Sequence, residues 1–372
     1  MDLDFSEEQV MLRDTAKGLC EEHSPSAVVR AMEGDDIGYP QTFWQALSEL
    51  GVVGLTIPEA YDGMNMGALE TAIVYEEFGR KLAPTPHFVS AVLGAKMLEL
   101  AGTAEQKSQW LPTIASGEKI LTVATDEPQR GFSSKGVQLT ATPTGDGFKL
   151  NGVKILVPYA NSADGILISA RQDSSILFFL VDPKANGVTI TAEKNHASAA
   201  LFQVKLDNVQ VAKTACLGDG SCVWAIWDQA MLDSLIALAA QAIGGAEAIH
   251  AMTTDYAKQR VQFDKAIGSF QAIAHYLADA IVKIEGAKTL VYQAAWAKDN
   301  GKPYAKLAAQ AKLQACNVFR ENAVMGVQVH GGFGFTTEGD PQLYFRRSKL
   351  QQLMYWDTRY LEDRIADYLL ED

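Results

Sequence analysis

Basic residues are in deficit. Lys and Arg number 32 against 45 Asp and Glu, a formal net charge of −13. Phosphate backbones call for a basic surplus, so nucleic acid is not expected as the main partner. Cysteine is scarcer: Cys20, Cys216, Cys222 and Cys316 lie far apart, and no CxxC occurs. That usage fits free thiols in a reducing, cytoplasmic setting better than a disulfide framework. No uninterrupted apolar stretch approaches the roughly 20 residues of a membrane span. No basic segment followed by a short apolar run opens the chain, so neither a span nor a secretory signal is expected. No His/Cys/Asp/Glu cluster has metal-ligand spacing and no G-x-S-x-G is present, which leaves metallohydrolase and serine hydrolase chemistry without support. What remains is a chain of 372 residues, 48% hydrophobic and 21% charged. That is apolar enough to bury a large core and long enough for two or three cooperating domains.

The order along the chain is helices, strands, helices. Ser6 with Gln9 three residues on is a capping-box pattern, and Leu12, Ala16, Leu19 and Cys20 follow at helical spacing. Thr42 is placed to cap a second helix carrying Phe43, Ala46, Leu47 and Leu50, stopped by Gly51. Residues 66–82 and 87–102 read as two more, parted by Pro84 and Pro86. The pattern changes near residue 119. ILTVATDEP is short and β-branched. Gly145-Asp146-Gly147 and Asn151-Gly152 are turn signals between alternating runs, and ILISARQDSSILFFLVDP turns at Gln172 to Ser175. With no βα alternation this reads as an antiparallel β domain, not a Rossmann unit. From about residue 225 the helical period returns. Leu232, Leu235, Ile236, Leu238, Ala239, Ala242, Ile243 and Ala246 form a broad apolar face, and further helices are expected at 268–299, 303–328 and 340–370. The fold class is α+β: an N-terminal helical domain (1–118), a middle antiparallel β domain (119–224) and a C-terminal four-helix bundle (225–372).

Two runs stand out chemically. Gln328 to Phe335 reads Q-V-H-G-G-F-G-F, followed by Glu338, Pro341, Arg346 and Lys349. Paired glycines after a helix admit close backbone approach by a ligand, although a simple helix end also uses one of them. Arg260 to Gln271 reads R-V-Q-F-D-K-A-I-G-S-F-Q. Arginine, glutamine and aromatics on a helix connection can hold a phosphate and a flat ring; a connection with a surface arginine fits the same letters.

Together these runs resemble the acyl-CoA dehydrogenase family, which carries R-x-[TQ]-F-G before a helix and later Q-x-x-G-G-x-G-[YF]-x-x-[ED] with a basic R-x-x-K behind. FSEEQVMLRDTAKGL near the N-terminus and LGVVGLTIPEAYDG at 50–63 also match, so the resemblance covers essentially the whole chain. It implies a flavoprotein that holds FAD tightly. Such an enzyme removes a proton from Cα and a hydride from Cβ of an acyl-CoA, yielding a trans-2-enoyl-CoA, and electrons pass to an electron-transfer flavoprotein in lipid catabolism such as fatty acid β-oxidation. It implies an oligomer, a dimer or dimer of dimers, because the FAD site is shared between chains. Carried over residue by residue, Arg260, Gln262, Phe263, Ile267, Phe270 and Gln271 match positions reaching a neighbouring subunit's FAD, with Arg260 on the pyrophosphate. Gln328, Val329, Gly331 and Gly332 match the stretch along the adenosine diphosphate half. Thr125 and Asp126 match a β-domain loop against the flavin ring, and Leu156 and Pro158 the next strand-loop over it. His330, within the glycine run, is read as packing.

The sequence departs from the family at the chemistry. T-E-P-G-A-G-S-D reads Asp126-Glu127-Pro128-Gln129-Arg130-Gly131-Phe132-Ser133, so Asp126 replaces a threonine and Phe132 a serine. W-[IV]-[ST] reads Leu156-Val157-Pro158, and proline has neither hydroxyl nor N–H to offer flavin N5. The glycine after Phe263 is Asp264. Matching Ser348-Lys349 to the family's A-K puts Tyr355 where the family commonly has its basic glutamate, with Asp357 two positions on. The other family location falls on Ser234, with Asp233 beside it. One position along a helix turns a side chain by about 100°. Three expectations stay open. Asp233 or Asp357 serves as the base; Tyr355 or water acts, or the chemistry differs; or the chain is a base-lacking or non-catalytic subunit of a heteromeric acyl-CoA dehydrogenase for bulky sterol side-chain or dicarboxyl substrates. Each candidate also has a purely structural use, Asp233 as a helix charge, Tyr355 as a packed aromatic and Asp357 as a surface acid. A flavin-free binding module is the remaining class.

Overall fold

A computed structural model describes residues 4–129, 131–218, 220 and 223–370. Arg130 of the Asp126–Ser133 loop and Cys222 lie outside the described residues. The elements run α1 (Glu7–His23), α2 (Ser26–Ala31), α3 (Gln41–Glu49), α4 (Ala68–Arg80), a π-helical turn (Phe88–Gly94) leading into α5 (Ala95–Ala101), and α6 (Ala104–Ala115). Then come β1 (Leu121–Ala124), β2 (Thr140–Pro143), β3 (Gly147–Pro158), β4 (Gly165–Gln172), β5 (Ser175–Val181), β6 (Val188–Ala192) and β7 (Leu201–Ala212). The last stretch holds α7 (Trp224–Gln259), the two-residue strands β8 (Val261–Gln262) and β9 (Lys265–Ala266), α8 (Gln271–Asp299), α9 (Ala305–His330), α10 (Pro341–Leu353) and α11 (Thr358–Leu370).

Contacts divide the chain into two units that cut across sequence order. One takes Met1–Val29, Gly67–Ala83 and Leu235–Asp372; the other takes Arg30–Met66 and Pro84–Ser234.

The first unit is helical. The Ser6–Gln9 capping box forms in both directions and starts α1. α4 and α7 approach closely because each presents a glycine. A Cβ on Gly79 would stand 1.8 Å from the Gln241 carbonyl oxygen, and one on Gly244 1.8 Å from that of Glu76. At this crossing the first unit buries charge. Arg80 pairs with Glu76 at 2.7 Å, Glu77 at 3.2 Å and Glu247 at 2.6 Å. Lys288 of α8 pairs with Glu76 and Glu247, both at 2.8 Å, and the Tyr292 hydroxyl donates to Glu76 at 2.7 Å. The opposed charges hold three helices at fixed register. α7 is long and apolar enough to cross a membrane by length and composition, but 67% of its most apolar window is buried, as expected of a core helix. The single helix expected at 340–370 is two, broken between Leu353 and Thr358.

The second unit is built on a seven-stranded sheet, ordered β1-β4-β2-β3-β7-β6 with β5 on β4. The sheet is mixed rather than purely antiparallel, because β1 runs parallel to β4 and β2 touches β4 in parallel. β1 reads LTVA with all four residues buried, the continuous apolar pattern of a strand covered on both faces. The 144–147 turn joins β2 to β3 and the 172–175 turn joins β4 to β5. Asn151-Gly152 is no turn. It is a bulge inside β3, where the register to β7 shifts and Gly152 takes φ 147° with Leu139 too close for any Cβ. α3 starts behind Pro40 rather than a Thr42 cap, and Gly51 follows its end in left-handed conformation. α6 opens with a second capping box, Thr103–Gln106. Cys20, Cys216 and Cys316 are buried free thiols.

Candidate active site

In the sheet unit, two segments are locked together by one buried ion pair. Lys154 of β3 donates to Glu127 at 2.7 Å, to Ser169 Oγ at 2.9 Å and to the Thr125 carbonyl at 3.2 Å. Glu127 also accepts the amides of Gln138 and Leu139 at 3.0 Å. Burial pushes the Lys154 ammonium down to about 8, with Glu127 pulling the other way. The Ile155 amide donates to the Asp126 carbonyl at 2.9 Å. Thr125 and Asp126 are thereby held beside the end of β3, where Leu156 and Pro158 lie. Leu156 has φ 54° within a register shift, and its amide donates to Glu193 at 2.7 Å. A branched residue there is strained, and the Glu193 carboxylate keeps it in place. Pro158 presents only its carbonyl, and the Thr122 hydroxyl uses that at 2.5 Å.

In the helical unit, α7 ends at Gln259 and Arg260 enters a tight hairpin. β8 and β9 pair across Phe263-Asp264, which take φ 55° and 61°. Two successive positive φ values are the signature of a type I′ turn. Asp264, standing where the family pattern has glycine, adopts the left-handed conformation nonetheless. Arg260, Gln262 and Gln271 are exposed, Ile267 and Phe270 partly so. Phe263 is 85% exposed, and Lys265 lies 4.2 Å over the Phe270 ring. The hairpin thus leaves a guanidinium, amides and a bare aromatic exposed. The second run ends α9. Gln328 is exposed and Val329 half-buried, and Gly331 breaks the helix at φ 63°. Both Gly331 and Gly332 face open space, with no atom within 4 Å of where a Cβ would be. His330 between them and the helix is buried. Its Nδ1–H donates to the Gly326 carbonyl at 2.7 Å and its ring stacks on Tyr256 at 4.3 Å, which is packing.

The proton-transfer candidates fall in different surroundings. Asp233 of α7 has its side chain 9% exposed, accepts from Gln229 at 2.9 Å and faces Lys96 at 3.9 Å. Ser234 is fully buried and its hydroxyl donates to the Ala230 carbonyl at 2.8 Å. Tyr355 and Asp357 flank buried Trp356 at the α10–α11 break. Asp357 Oδ1 accepts the Tyr360 amide at 2.9 Å, so this acid caps α11. Tyr355 is half-buried with φ 55°.

Family models for the acyl-CoA dehydrogenase N-terminal and C-terminal domains match residues 6–118 and 224–367. A probable acyl-CoA dehydrogenase of Bacillus subtilis, YngJ, is 31% identical over 95% of each chain. The chain belongs to the acyl-CoA dehydrogenase family. A subunit of a caffeyl-CoA reductase–Etf complex, CarC of Acetobacterium woodii, is 32% identical over 98% of this chain and 99% of its own length. A chain of the ChsE4–ChsE5 complex from Mycobacterium tuberculosis superposes with a TM-score of 0.90 at 28% identity, covering both chains fully.

The cofactor of this family member is FAD. The residues present fit it at its phosphate end, since a free guanidinium and an unfilled pair of glycines suit a pyrophosphate and its ribose. Pro158, which the resemblance matches to the ring end, has neither N–H nor hydroxyl to donate. The Lys154–Glu127 pair joins partners 27 residues apart and is not legible in the sequence. The one signal was Lys154, a lysine inside the apolar run VKILV; Glu127 lies in the polar stretch TDEPQ and gives none.

Proposed function

We propose that this chain catalyses FAD-dependent α,β-dehydrogenation of an acyl-CoA thioester to a trans-2-enoyl-CoA and passes the electrons to an electron-transfer flavoprotein. The observation that carries the reading is the open Gly331-Gly332 end of α9, together with the exposed Arg260 hairpin in the same unit. FAD, when bound, accepts the hydride from Cβ. Arg260 would pair with the pyrophosphate of a neighbouring subunit's cofactor, and Gln328, Val329, Gly331 and Gly332 would line the adenosine diphosphate half. Thr125, Asp126, Leu156 and Pro158, in the segments tied together by the Lys154–Glu127 pair, would be the residues that meet the flavin ring. Matched to the family pattern through Ser348-Lys349, Tyr355 would take the place of the residue that removes the Cα proton. A phenol loses its proton near pH 10, so it acts at neutral pH only with help from its surroundings. Asp357 and Asp233 are engaged as a helix cap and in an ion pair, which makes each the weaker candidate. The three-domain division at residues 118 and 224 belongs to this same reading, as do a dimer or tetramer and a cytoplasmic setting.

A second reading is favoured by one observation. Neither position 355 nor position 234 carries a carboxylate. In that reading the chain is the base-lacking half of a paired acyl-CoA dehydrogenase acting on a bulky acyl-CoA, and its likeness to a chain of the ChsE4–ChsE5 complex supports it. Anaerobic addition of a panel of acyl-CoA esters to the purified protein separates the two. Bleaching of a flavin spectrum by one ester supports the self-sufficient enzyme. A colourless protein, or a yellow one that no ester reduces, supports the paired subunit.

A further inference from the structure

Lys312 lies in α9 with 1% of its surface exposed. An ammonium has three donors, and here all three are used on backbone carbonyls, those of Gln351 at 3.0 Å and of Met354 and Trp356 at 2.9 Å. Among the described residues no carboxylate pairs with it. Burial lowers its pKa, opposed by Cys316 and then Asp357. The carbonyls it holds belong to the break between α10 and α11. The last carbonyls of a helix have no partner within the helix and carry the negative end of its dipole. Helices commonly solve this with a left-handed glycine. α10 has none: Tyr355 and Trp356 take φ 55° and 67° instead, a conformation unfavourable for aromatic residues. Three contacts hold it. Lys312 gathers the carbonyls. The Trp356 ring is 1% exposed, edge-on to Tyr360 at 5.2 Å and under the Arg364 guanidinium at 5.1 Å. Asp357 caps α11. Tyr355, between two buried neighbours, stays partly exposed.

We propose that Lys312 is a positioning residue for proton removal: by clamping three carbonyls of the α10–α11 corner it sets where Tyr355 stands. The role rests on the reading that Tyr355 occupies the place of proton abstraction. The test uses the FAD-loaded enzyme with the ester that bleaches it fastest, in Lys312→Met, Lys312→Arg, Tyr355→Phe and the Lys312→Met/Tyr355→Phe double variant. Met keeps the length of lysine and removes its donors; Arg keeps a charge and donors. Lys312→Met is expected to slow bleaching at saturating ester at least tenfold with little change in half-saturation, and Arg to restore part of the loss. The double variant is expected to be no slower than Tyr355→Phe alone, since the clamp acts through that residue. Multiplying effects would overturn the proposal while leaving Tyr355 in place. A Tyr355→Phe variant as fast as the parent would instead overturn the reading of Tyr355, and the positioning role with it. Amide hydrogen exchange tests the clamp without turnover. Lys312→Met should speed exchange at 351–358 and not elsewhere in α9 to α11; unchanged exchange at the corner would contradict it.

Discussion

Lys154 and Glu127 form an ion pair at 2.7 Å with 0% and 3% of their side chains exposed. A buried pair is costly to break from one side, because the survivor is left charged and unpaired. Lys154→Met should therefore destabilise the protein by about 3–5 kcal/mol and loosen Thr125, whose carbonyl loses its donor. Adding Glu127→Gln, which keeps an acceptor for the Gln138 and Leu139 amides, should recover much of the loss. Urea denaturation of the parent and the two variants reads this, and a single variant within about 1 kcal/mol of the parent, by the usual order of such effects, would place the pair among inconsequential ones.

His87 supplies a pH dependence. It is 1% exposed, its Nε2–H donates to the Val52 carbonyl at 2.9 Å, and burial pushes its pKa down to about 4. The folded value lies below the unfolded one, so between about pH 6.5 and 4 the unfolded chain binds the extra proton. Stability from this group is present above that window and lost as pH falls through it, with a slope of at most about 1.4 kcal/mol per pH unit. His87→Gln retains a donor and cannot titrate there. The difference in stability between parent and variant should change across pH 6.5 to 4 and stay flat above 7; a flat difference throughout would contradict the assignment.

The glycines after α9 separate cofactor binding from folding. A methyl group at Gly332 meets nothing in this chain and needs no unusual φ. Gly332→Ala should leave the melting of the apoprotein unchanged while weakening FAD retention. Arg260→Ala, at an exposed site, should do the same by about 10- to 100-fold, the size of a lost charge-assisted hydrogen bond. Equilibrium dialysis against FAD measures both, and apoprotein variants that hold FAD as well as the parent would move the cofactor elsewhere.

Pro158→Thr restores the hydroxyl and amide that the family pattern has at this position. One additional hydrogen bond to the flavin is worth about 0.5–1.5 kcal/mol. FAD affinity should rise by a factor of a few and the flavin absorbance should shift. No spectral change would mean that residue 158 does not face the ring.

The parts of this fold that local chemistry determines were legible in the sequence. Ser6 with Gln9 announced α1, the 144–147 and 172–175 turns announced their hairpins, and the Arg260 and Gln328 runs carried the family resemblance. What escaped depends on distant partners. Asn151-Gly152 has the letters of a turn, but Leu139 packs against Gly152 and β7 runs on past it, so the residue becomes a bulge. The parallel course of β1 is fixed by its pairing with β4, more than 40 residues on, as the Leu121–Gly165 match shows. The α10–α11 break has neither glycine nor proline to mark it, since Lys312 on another helix holds it open. The base is unreadable for the same reason: its identity turns on where this corner presents Tyr355.

The most direct test of dehydrogenation is the anaerobic bleaching of the bound flavin by an acyl-CoA ester deuterated at Cα or at Cβ, mixed rapidly with the purified protein. Bleaching should be slowed by deuterium at each carbon, because a Cα proton and a Cβ hydride both leave in the reaction. A flavin that no saturated ester bleaches, in the protein alone, would contradict it.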